Sequence, residues 1–134
     1  MPFKRDGSTV QQSGVLPIFE NGVVLVTSRT KKRWTIPKGF IETGMTPCES
    51  AANEAFEEAG AIGSVSDLEI GSYEYSKWGK ICRVGVFEMQ VTDLLGEWLE
   101  SHQRERIIVP PAEAAELLWH PVLSGVVKEF YCHV

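Results

Sequence analysis

Apolar runs rich in β-branched residues alternate with turn signals in the first third of the chain. The runs "SGVLPIF" and "VVLVTS" flank Glu20-Asn21-Gly22. Because Asn-Gly is a strong signal for a tight turn between antiparallel strands, this pattern predicts a β-hairpin. The run "RWTIP" predicts a short strand that ends at Pro37, since proline biases the residue before it toward extended geometry.

A helix with well-marked ends is predicted over residues 47–59. Thr46 has the N-cap position, Pro47 the first helical position, and Glu49, three residues after the cap, completes a capping box. Gly60 supplies the C-terminal stop, because glycine readily adopts the left-handed conformation that ends many helices. These signals agree with one another along the whole segment, so they predict both the element and its boundaries.

The segments around this helix predict a layered domain. The stretch "KGFIETGM" before it predicts a loop in which Gly39 and Gly44 can adopt positive φ. After it, "DLEIGSYEYSKW" and "KICRVGVFEMQVT" predict two strands around a Trp78-Gly79 turn, and "IIVP" predicts another after the extended stretch "DLLGEWLESHQRER". The runs "PAEAAELLWH" and "PVLSGVVKEFY" predict two helices. This order indicates an α/β or α+β fold with a mixed sheet covered by helices.

Length and composition limit the number of domains and the location. The chain has 134 residues, of which 43% are hydrophobic and 23% charged, which suits one core and one domain. We expect a flexible segment over residues 1–12 and one domain over residues 13–134. The sequence has no apolar run of about 18 residues and no apolar segment after its first charges, which predicts a cytoplasmic protein without membrane partners.

Cysteine content and net charge exclude several classes of function. Three widely spaced cysteines without a C-x-x-C pair argue against a disulfide framework and a thiolate zinc site. A net charge of -5 disfavours a general nucleic-acid binder, whose phosphate contacts require a basic excess. Basic residues are nevertheless concentrated just before the predicted helix, where the sequence contains Arg29, Lys31, Lys32, Arg33 and Lys38. A solvated loop is the commoner reason for such a run, so the alternative of an anion site depends on its neighbours.

The predicted helix carries three glutamates on one side. With about 100° between successive residues, Glu54, Glu57 and Glu58 share one arc. The opposite arc predicts the core side and contains Cys48, Ala52, Ala55, Phe56 and Ala59. Like charges one turn apart repel by a few tenths of a kcal/mol, and a solvated acidic face is the commoner explanation of such a cluster. A hard divalent cation such as Mg²⁺ would reverse this repulsion, because carboxylates are its usual protein ligands.

These residues resemble the Nudix box, G-x5-E-x7-R-E-U-x-E-E-x-G-U, in which U is a bulky aliphatic residue. The matching positions are Gly39, Glu54, Ala55, Glu57, Glu58, Gly60 and Ala61. Two positions depart from the pattern, because Met45 replaces a glutamate and Asn53 replaces an arginine. The two losses balance in charge, and both U positions hold a small alanine.

The resemblance extends beyond the box to the diphosphoinositol polyphosphate phosphohydrolase branch, whose members also cleave diadenosine polyphosphates. The Ser28-Arg29 pair, Trp34 and the stretch "VTDLLGEW" with the basic residues after it carry this similarity. The branch has a basic N-terminal segment where this chain has Gln11-Gln12-Ser13. The resemblance implies an α/β/α sandwich and hydrolysis of a phosphoanhydride by water, with Mg²⁺ as the cofactor and Mn²⁺ as its substitute.

The resemblance also implies roles for individual residues. Glu54, Glu58 and the backbone of Gly39 would hold the metal, and Glu57 would be the general base or a further ligand, with Glu54 also counted among the catalytic acids. An acid outside the helix is often a ligand in the family, and Glu97 and Glu105 are the candidates here. The candidates for substrate phosphates are Arg29, Arg33 and Lys38, with Ser28 beside them. Second-tier candidates, for each of which an exposed surface cation is the commoner description, are Lys80, Arg83, Arg104 and Arg106.

Three functions remain open from the sequence. The first is a pyrophosphohydrolase acting on diadenosine polyphosphates or diphosphoinositol polyphosphates. The second is an enzyme for nucleotide sugars, ADP-ribose or nucleoside triphosphates on the same scaffold. The third, suggested by Met45 and Asn53, is a non-catalytic nucleotide-binding module. In each case the partner is a small molecule with a pyrophosphate or polyphosphate, and the protein is expected to be a monomer or homodimer.

Overall fold

The computed structural model describes residues 9–132, in which seven strands and three helices form one layered domain. The elements are β1 (Thr9–Phe19), β2 (Gly22–Thr27), β3 (Trp34–Thr35), β4 (Lys38–Phe40), α1 (Pro47–Ala59), β5 (Ala61–Lys77), β6 (Lys80–Leu94), β7 (Arg106–Val109), α2 (Pro111–Leu117) and α3 (Pro121–Cys132). The predicted hairpin, the strands around the Trp78-Gly79 turn and all three helices are confirmed. The sheet lies between helices, as the predicted fold class requires.

The sheet is mixed, and β1 lies at its centre. The strand order is β3-β2-β1-β6-β5, with β4 paired to β1 and β7 paired to β2. The pairing of β1 with β6 is parallel along the whole of Thr9–Phe19, whereas the other pairings are antiparallel. On its other edge β1 pairs with β2 near Phe19 and with β4 near Ser13. This pairing returns the segment before α1 to the sheet and fixes its position.

Two boundaries differ from the predictions. Thr9 to Gln12 belong to β1, so this part of the predicted flexible segment is wrong, because β6 pairs with it along its length. Residues 1–8 lie outside the described residues. The predicted loop "KGFIETGM" contains β4, which is formed by pairing to β1 rather than by a local signal. Gly44 has the positive φ expected there, at 88°, whereas Gly39 does not have a positive φ.

Helix α1 begins and ends as the sequence predicts. The Thr46 hydroxyl accepts a hydrogen bond from the Glu49 N–H at 3.2 Å, and the Glu49 carboxylate accepts one from the Thr46 N–H at 2.9 Å. Gly60 ends the helix in the left-handed conformation at φ 64°. The predicted core side is partly wrong: Phe56 is exposed, and Glu58 is buried beside Ala51, Ala55 and Ala59. Helix α1 is oriented with Glu58 on its buried side, where the buried guanidinium of Arg104 pairs with the Glu58 carboxylate.

The two faces of the sheet bury separate hydrophobic clusters. Helix α1 packs its alanines on Val15, Val24 and Phe87 on one face. Helices α2 and α3 cover the other face, where Leu16, Leu25, Val84, Leu123 and Val127 form the centre. The acidic side of α1 lies at one edge of the first of these two clusters.

Among the described residues, no helix is long and apolar enough to cross a membrane.

We predict that Thr46→Ala destabilises the protein, because both halves of the capping box depend on this residue. The free energy of unfolding should fall by about 1 kcal/mol in urea denaturation followed by circular dichroism. Thr30→Ala, which changes an exposed threonine in the turn before β3, is the matched control and should have little effect. Equal unfolding curves for the two variants would contradict the role of the cap.

Candidate active site

Glu54 lies against the backbone of β4. A Cβ atom added to Gly39 would overlap the carboxyl group of Glu54, so a larger residue at this position would displace that carboxyl group. Gly39 is held there by its register with Ser13 on β1. The glycine thus allows the carboxyl group of Glu54 to lie close to the backbone of β4, and it does not have the positive φ that the sequence suggested. The structure brings Glu54 and Gly39 together, as the predicted metal site requires.

Glu58 is buried and accepts three interactions from other segments. Its carboxylate accepts a hydrogen bond from the Lys38 N–H at 3.2 Å and forms an ion pair with Arg104 at 3.3 Å. Its backbone carbonyl accepts a hydrogen bond from the indole N–H of Trp98 at 2.8 Å. A carboxylate buried to this degree requires such partners, since an unpaired buried charge is strongly destabilising. These contacts join α1 to β4 and to the segment before β7.

Glu57 is oriented by the residue that departs from the family pattern. The side-chain amide of Asn53 donates to the Glu57 carboxylate at 3.2 Å, one turn away on α1. The second departure, Met45, contacts the hydroxyl of Ser50 through its sulfur at 3.6 Å, and this hydroxyl also accepts from the Glu42 N–H. At both positions, an uncharged side chain forms a hydrogen bond where the family pattern has a glutamate or an arginine.

The acids lie close enough together to disfavour one another's ionisation. Burial and then the charges of Glu58 and Glu57 together raise the pKa of Glu54 to about 8. Burial also raises the pKa of Glu58, although Arg104 and the Lys38 N–H oppose that change. At neutral pH Glu54 therefore carries a proton, whereas the ion pair with Arg104 favours the ionised form of Glu58.

Glu100 is the acid outside α1 that approaches the cluster, and the sequence did not identify it. Its N–H donates to the Glu57 carbonyl at 3.2 Å, and its carboxylate raises the pKa of Glu54 and Glu58. The predicted candidates Glu97 and Glu105 are exposed, and neither contributes to those pKa shifts. Glu100 and Arg104 have the i, i+4 spacing of an ion pair on a helical turn. The sequence predicts no helical turn in this segment, so the spacing did not identify Glu100.

The donor atoms suit a hard divalent cation, although the side chains are not closed around one. Within residues 9–132, no three His, Cys, Asp or Glu side chains form a ready-made metal site. Glu54 nevertheless keeps a proton because other carboxylates lie nearby, and cations can replace protons at such positions. Glu54, Glu58 and the backbone of Gly39 would hold the cation, with Glu57 as the general base or a further ligand. Glu58 also contacts Lys38 and Arg104.

Arg104 and Arg106 act as anchors in the structure. Arg104 donates to Glu100 at 2.7 Å and to the Thr27 carbonyl at 2.8 Å, in addition to its ion pair with Glu58. Arg106 donates to the carbonyls of Ala59 and Leu95, both at 2.8 Å, and stacks on Trp98. The substrate-binding role of Arg104 stays a prediction, and in this structure its buried guanidinium contacts Glu58, Glu100 and the Thr27 carbonyl.

The basic loop before β3 is closed by its own hydrogen bonds. The Ser28 hydroxyl accepts from the Arg33 N–H at 3.0 Å, so Ser28 shapes the loop. Arg29 and Lys32 reach Gln103, at 3.4 Å to its side chain and 3.1 Å to its carbonyl. The loop therefore lies beside the segment that carries Glu100 and Arg104. Both basic side chains are exposed and remain candidates for contact with an anion.

Lys38 and Arg33 lie near aromatic rings. The Lys38 ammonium donates to the Tyr75 hydroxyl at 2.9 Å, and this hydroxyl donates to Gln12 at 2.9 Å. Burial lowers the pKa of Lys38, while Glu58 opposes that change. Arg33 stacks on Trp119 with 4.5 Å from its guanidinium carbon to the ring centre. The sequence did not predict the contact of Lys38 with Tyr75 and Gln12, because the pairing of β4 with β1, of β1 with β6 and of β6 with β5 brings these residues together.

Arg83 lies on β6, on the face of the sheet that carries α1. It forms an ion pair with Glu69 of β5 at 2.7 Å, and both side chains are about one-third exposed. Lys80 lies at the exposed start of β6, opposite Lys77 in register. Arg83 therefore lies on the same face of the sheet as Glu54. Within the described part of the chain, no contact brings Lys80 to the acids.

The chain belongs to the Nudix family, because the NUDIX domain model matches residues 10–130. Nudix hydrolase 12, mitochondrial, of Arabidopsis thaliana is 32% identical over 130 residues, which are 91% of this chain and 64% of that protein. Diphosphoinositol polyphosphate phosphohydrolase 3-alpha of Mus musculus is 39% identical over 83 residues, covering 61% of this chain and 49% of that protein. The chain thus spans less than two thirds of the length of these relatives.

Solved structures share the fold at low sequence identity. A C. elegans Ap4A hydrolase in a binary complex superposes with a TM-score of 0.77 at 18% identity, covering 92% of this chain and 96% of that one. A MutT protein of Methanosarcina mazei Go1 gives a TM-score of 0.76 at 18% identity, with 97% and 98% covered. These similarities establish the Nudix fold and, at this identity, the fold alone.

We predict that the stability of the metal-free protein falls as pH rises from about 4.5 to about 8. Over this range unfolded Glu54 is ionised while the folded residue keeps its proton, so folding takes up a proton. Glu54→Gln cannot ionise, so its melting temperature relative to the wild type should rise across the window, measured by calorimetry with a chelator present. Glu116→Gln, an exposed change on α2, should run parallel to the wild type. Parallel curves for Glu54→Gln would contradict the raised pKa.

Proposed function

We propose that the protein is a Mg²⁺-dependent pyrophosphohydrolase that cleaves phosphoanhydride bonds of diadenosine polyphosphates or diphosphoinositol polyphosphates, with Mn²⁺ as an alternative cation. The observation that carries this proposal is the position of Glu54, which lies against Gly39 and keeps a proton beside Glu58 and Glu57. A cation in place of that proton would relieve the repulsion among the acids.

The proposed roles follow from the contacts of each residue. A bound divalent cation neutralises phosphate charge and acidifies a coordinated water molecule. Glu57 accepts the proton of the attacking water, and the amide of Asn53 holds its carboxylate in place. Arg104 and the Lys38 N–H keep Glu58 ionised and fixed beside Glu54. Arg29, Arg33 and Lys38 supply positive charge for the rest of the substrate.

The choice of substrate class rests on the relatives and on charge. Relatives named diphosphoinositol polyphosphate phosphohydrolase and a structural neighbour titled Ap4A hydrolase support polyphosphate compounds. Gln12 lies buried where the branch has a basic segment, which favours the diadenosine compounds over the more highly charged inositol compounds. Nucleotide sugars, ADP-ribose and nucleoside triphosphates form the second candidate class, which the similarity of fold to a MutT protein keeps open.

A non-catalytic nucleotide-binding module is the candidate from another class. It is suggested by Met45 and Asn53, which remove a glutamate and an arginine from the family pattern. The hydrogen bond from Asn53 to Glu57 argues against it, because the proposed base is still oriented. Cytoplasmic location and the monomeric or homodimeric state stay predictions.

We predict that Glu57→Gln lowers turnover by about 100-fold or more, since a positioned base contributes a factor of this size. The melting temperature should change little, because Glu57 is only partly buried and its main partner is one neutral amide. Steady-state kinetics with Mg²⁺ measure the loss, and Glu116→Gln is the control. Unchanged turnover in Glu57→Gln would remove this residue as the base.

A panel of substrates with phosphate or nucleotide detection tests the proposed class. We expect diadenosine polyphosphates to be cleaved with the highest kcat/KM, only in the presence of Mg²⁺ or Mn²⁺, and a chelator should abolish turnover. Faster cleavage of ADP-ribose or a nucleoside triphosphate would move the protein to the second class. Nucleotide binding in calorimetry without turnover of any compound would support the binding module.

A further inference from the structure

A tryptophan lies at the tip of the hairpin between β5 and β6. Lys77 and Lys80 are paired in register, so Trp78 and Gly79 form a two-residue turn. Both turn residues have a positive φ, at 55° for Trp78 and 73° for Gly79. A turn of this kind favours Asn-Gly or Asp-Gly, and a bulky side chain is disfavoured in the left-handed region. The backbone of the turn therefore gives no reason for an indole at this position.

The packing of Trp78 gives no reason for this side chain either. Trp78 is 79% exposed, more than any other large hydrophobic residue in the described part of the chain. The Lys77 ammonium lies over its ring, 4.6 Å from the ring centre, and most of the indole is in contact with solvent. Residues in strained backbone conformations are concentrated at functional sites. An indole that is both strained and exposed thus indicates a ligand rather than a role in folding.

The tip of this hairpin lies close to Lys38, whose backbone N–H binds Glu58 of the candidate active site. Tyr75 and Lys77 are two residues apart in β5, so their side chains point to the same face of the strand. The Tyr75 hydroxyl accepts a hydrogen bond from the Lys38 ammonium at 2.9 Å. Burial, and with it the charge of Lys77, lowers the pKa of Lys38, while Glu58 opposes that change. Trp78 follows Tyr75 by three residues, which corresponds to about 10 Å along a strand.

We propose that Trp78 stacks on the base of a nucleotide substrate whose phosphates reach Lys38 and the acids of α1. Aromatic side chains bind every base through its π face, and an exposed ring at the end of a hairpin leaves room for one. The spacing suits a nucleotide, in which the base and the outer phosphates lie at opposite ends of an elongated molecule. The Lys77 ammonium holds the indole on the face opposite to the base and adds positive charge near the phosphates.

This inference rests on the proposed function for the position of the phosphates, and it separates the two polyphosphate compounds named there. Diadenosine polyphosphates carry bases on which an indole stacks, whereas an inositol ring is saturated and has no π face. Trp78 is therefore a specificity-determining residue that favours the diadenosine compounds.

The test compares two probes by calorimetry with Mg²⁺, in the Glu57→Gln background so that turnover is suppressed. The probes are diadenosine tetraphosphate and inorganic tripolyphosphate, which has no base. Trp78→Asn should weaken binding of the diadenosine compound about 5- to 20-fold, in the lower part of the range for a base stacked on an aromatic ring. Binding of tripolyphosphate should stay the same. Trp78→Phe, which keeps an aromatic face, should lose less affinity than Trp78→Asn.

The stability of the same variant gives a second readout. Asparagine suits the first position of this turn better than tryptophan, so the melting temperature of Trp78→Asn should stay the same or rise while nucleotide binding falls. Leu68→Asn is the matched control, because Leu68 is 70% exposed in β5 but lies away from the tip. It should leave the binding of both probes unchanged. In the active protein, Trp78→Asn should raise KM for a diadenosine polyphosphate and leave kcat unchanged.

The outcomes distinguish this proposal from the proposed function. A selective loss of diadenosine binding in Trp78→Asn, without a loss of stability, supports the stacking role even if no compound in the panel is hydrolysed. Equal losses for both probes, unchanged binding of the diadenosine compound or a lower melting temperature overturn it, even if hydrolysis is found. Failure of the Glu57→Gln protein to bind the diadenosine compound also overturns it, whether or not a base-free polyphosphate is hydrolysed.

Discussion

The buried ion pair between Glu58 and Arg104 is the interaction on which the arrangement of the acids depends. A carboxylate in this position requires compensation, and Arg104 and the Lys38 N–H provide it from two other segments. Arg104 also binds Glu100 and the end of β2, so one guanidinium joins the helix, the sheet and the segment before β7. Because Glu58 is held against the sheet, the rest of α1 is rotated to place Glu54 over Gly39.

This rotation produces the electrostatics of the site. Glu54 is close to Glu58, Glu57 and Glu100, and its pKa is raised to about 8 because burial and these charges all disfavour its ionised form. A site with excess negative charge and a retained proton is suited to a cation. The departures from the family pattern are consistent with this balance, since Asn53 orients Glu57 without adding a positive charge that would compete with the metal.

The basic residues fall into two groups that their sequence positions do not separate. Arg104 and Arg106 are engaged with carbonyls and carboxylates and stabilise the ends of α1 and β2. Arg29, Arg33, Lys38 and Arg83 have partly exposed groups whose partners are single side chains or aromatic rings. Weakly held cations can change partners when an anion binds, and they surround the acids from the loop, from β4 and from β6.

The sequence by itself determined α1, the hairpin and the order of strands and helices, because capping residues, Asn-Gly and alternating apolar positions act over a few neighbouring residues. It also determined that Glu54, Glu57 and Glu58 share one side of a helix. Tertiary structure alone decided which side of α1 is buried, that the carboxyl group of Glu54 lies against Gly39, and that Glu100 joins the acids. It also assigned Arg104 to Glu58 and Glu69 to Arg83. Each of these contacts links residues far apart in the chain through strand pairing, and no local signal specifies such a pairing.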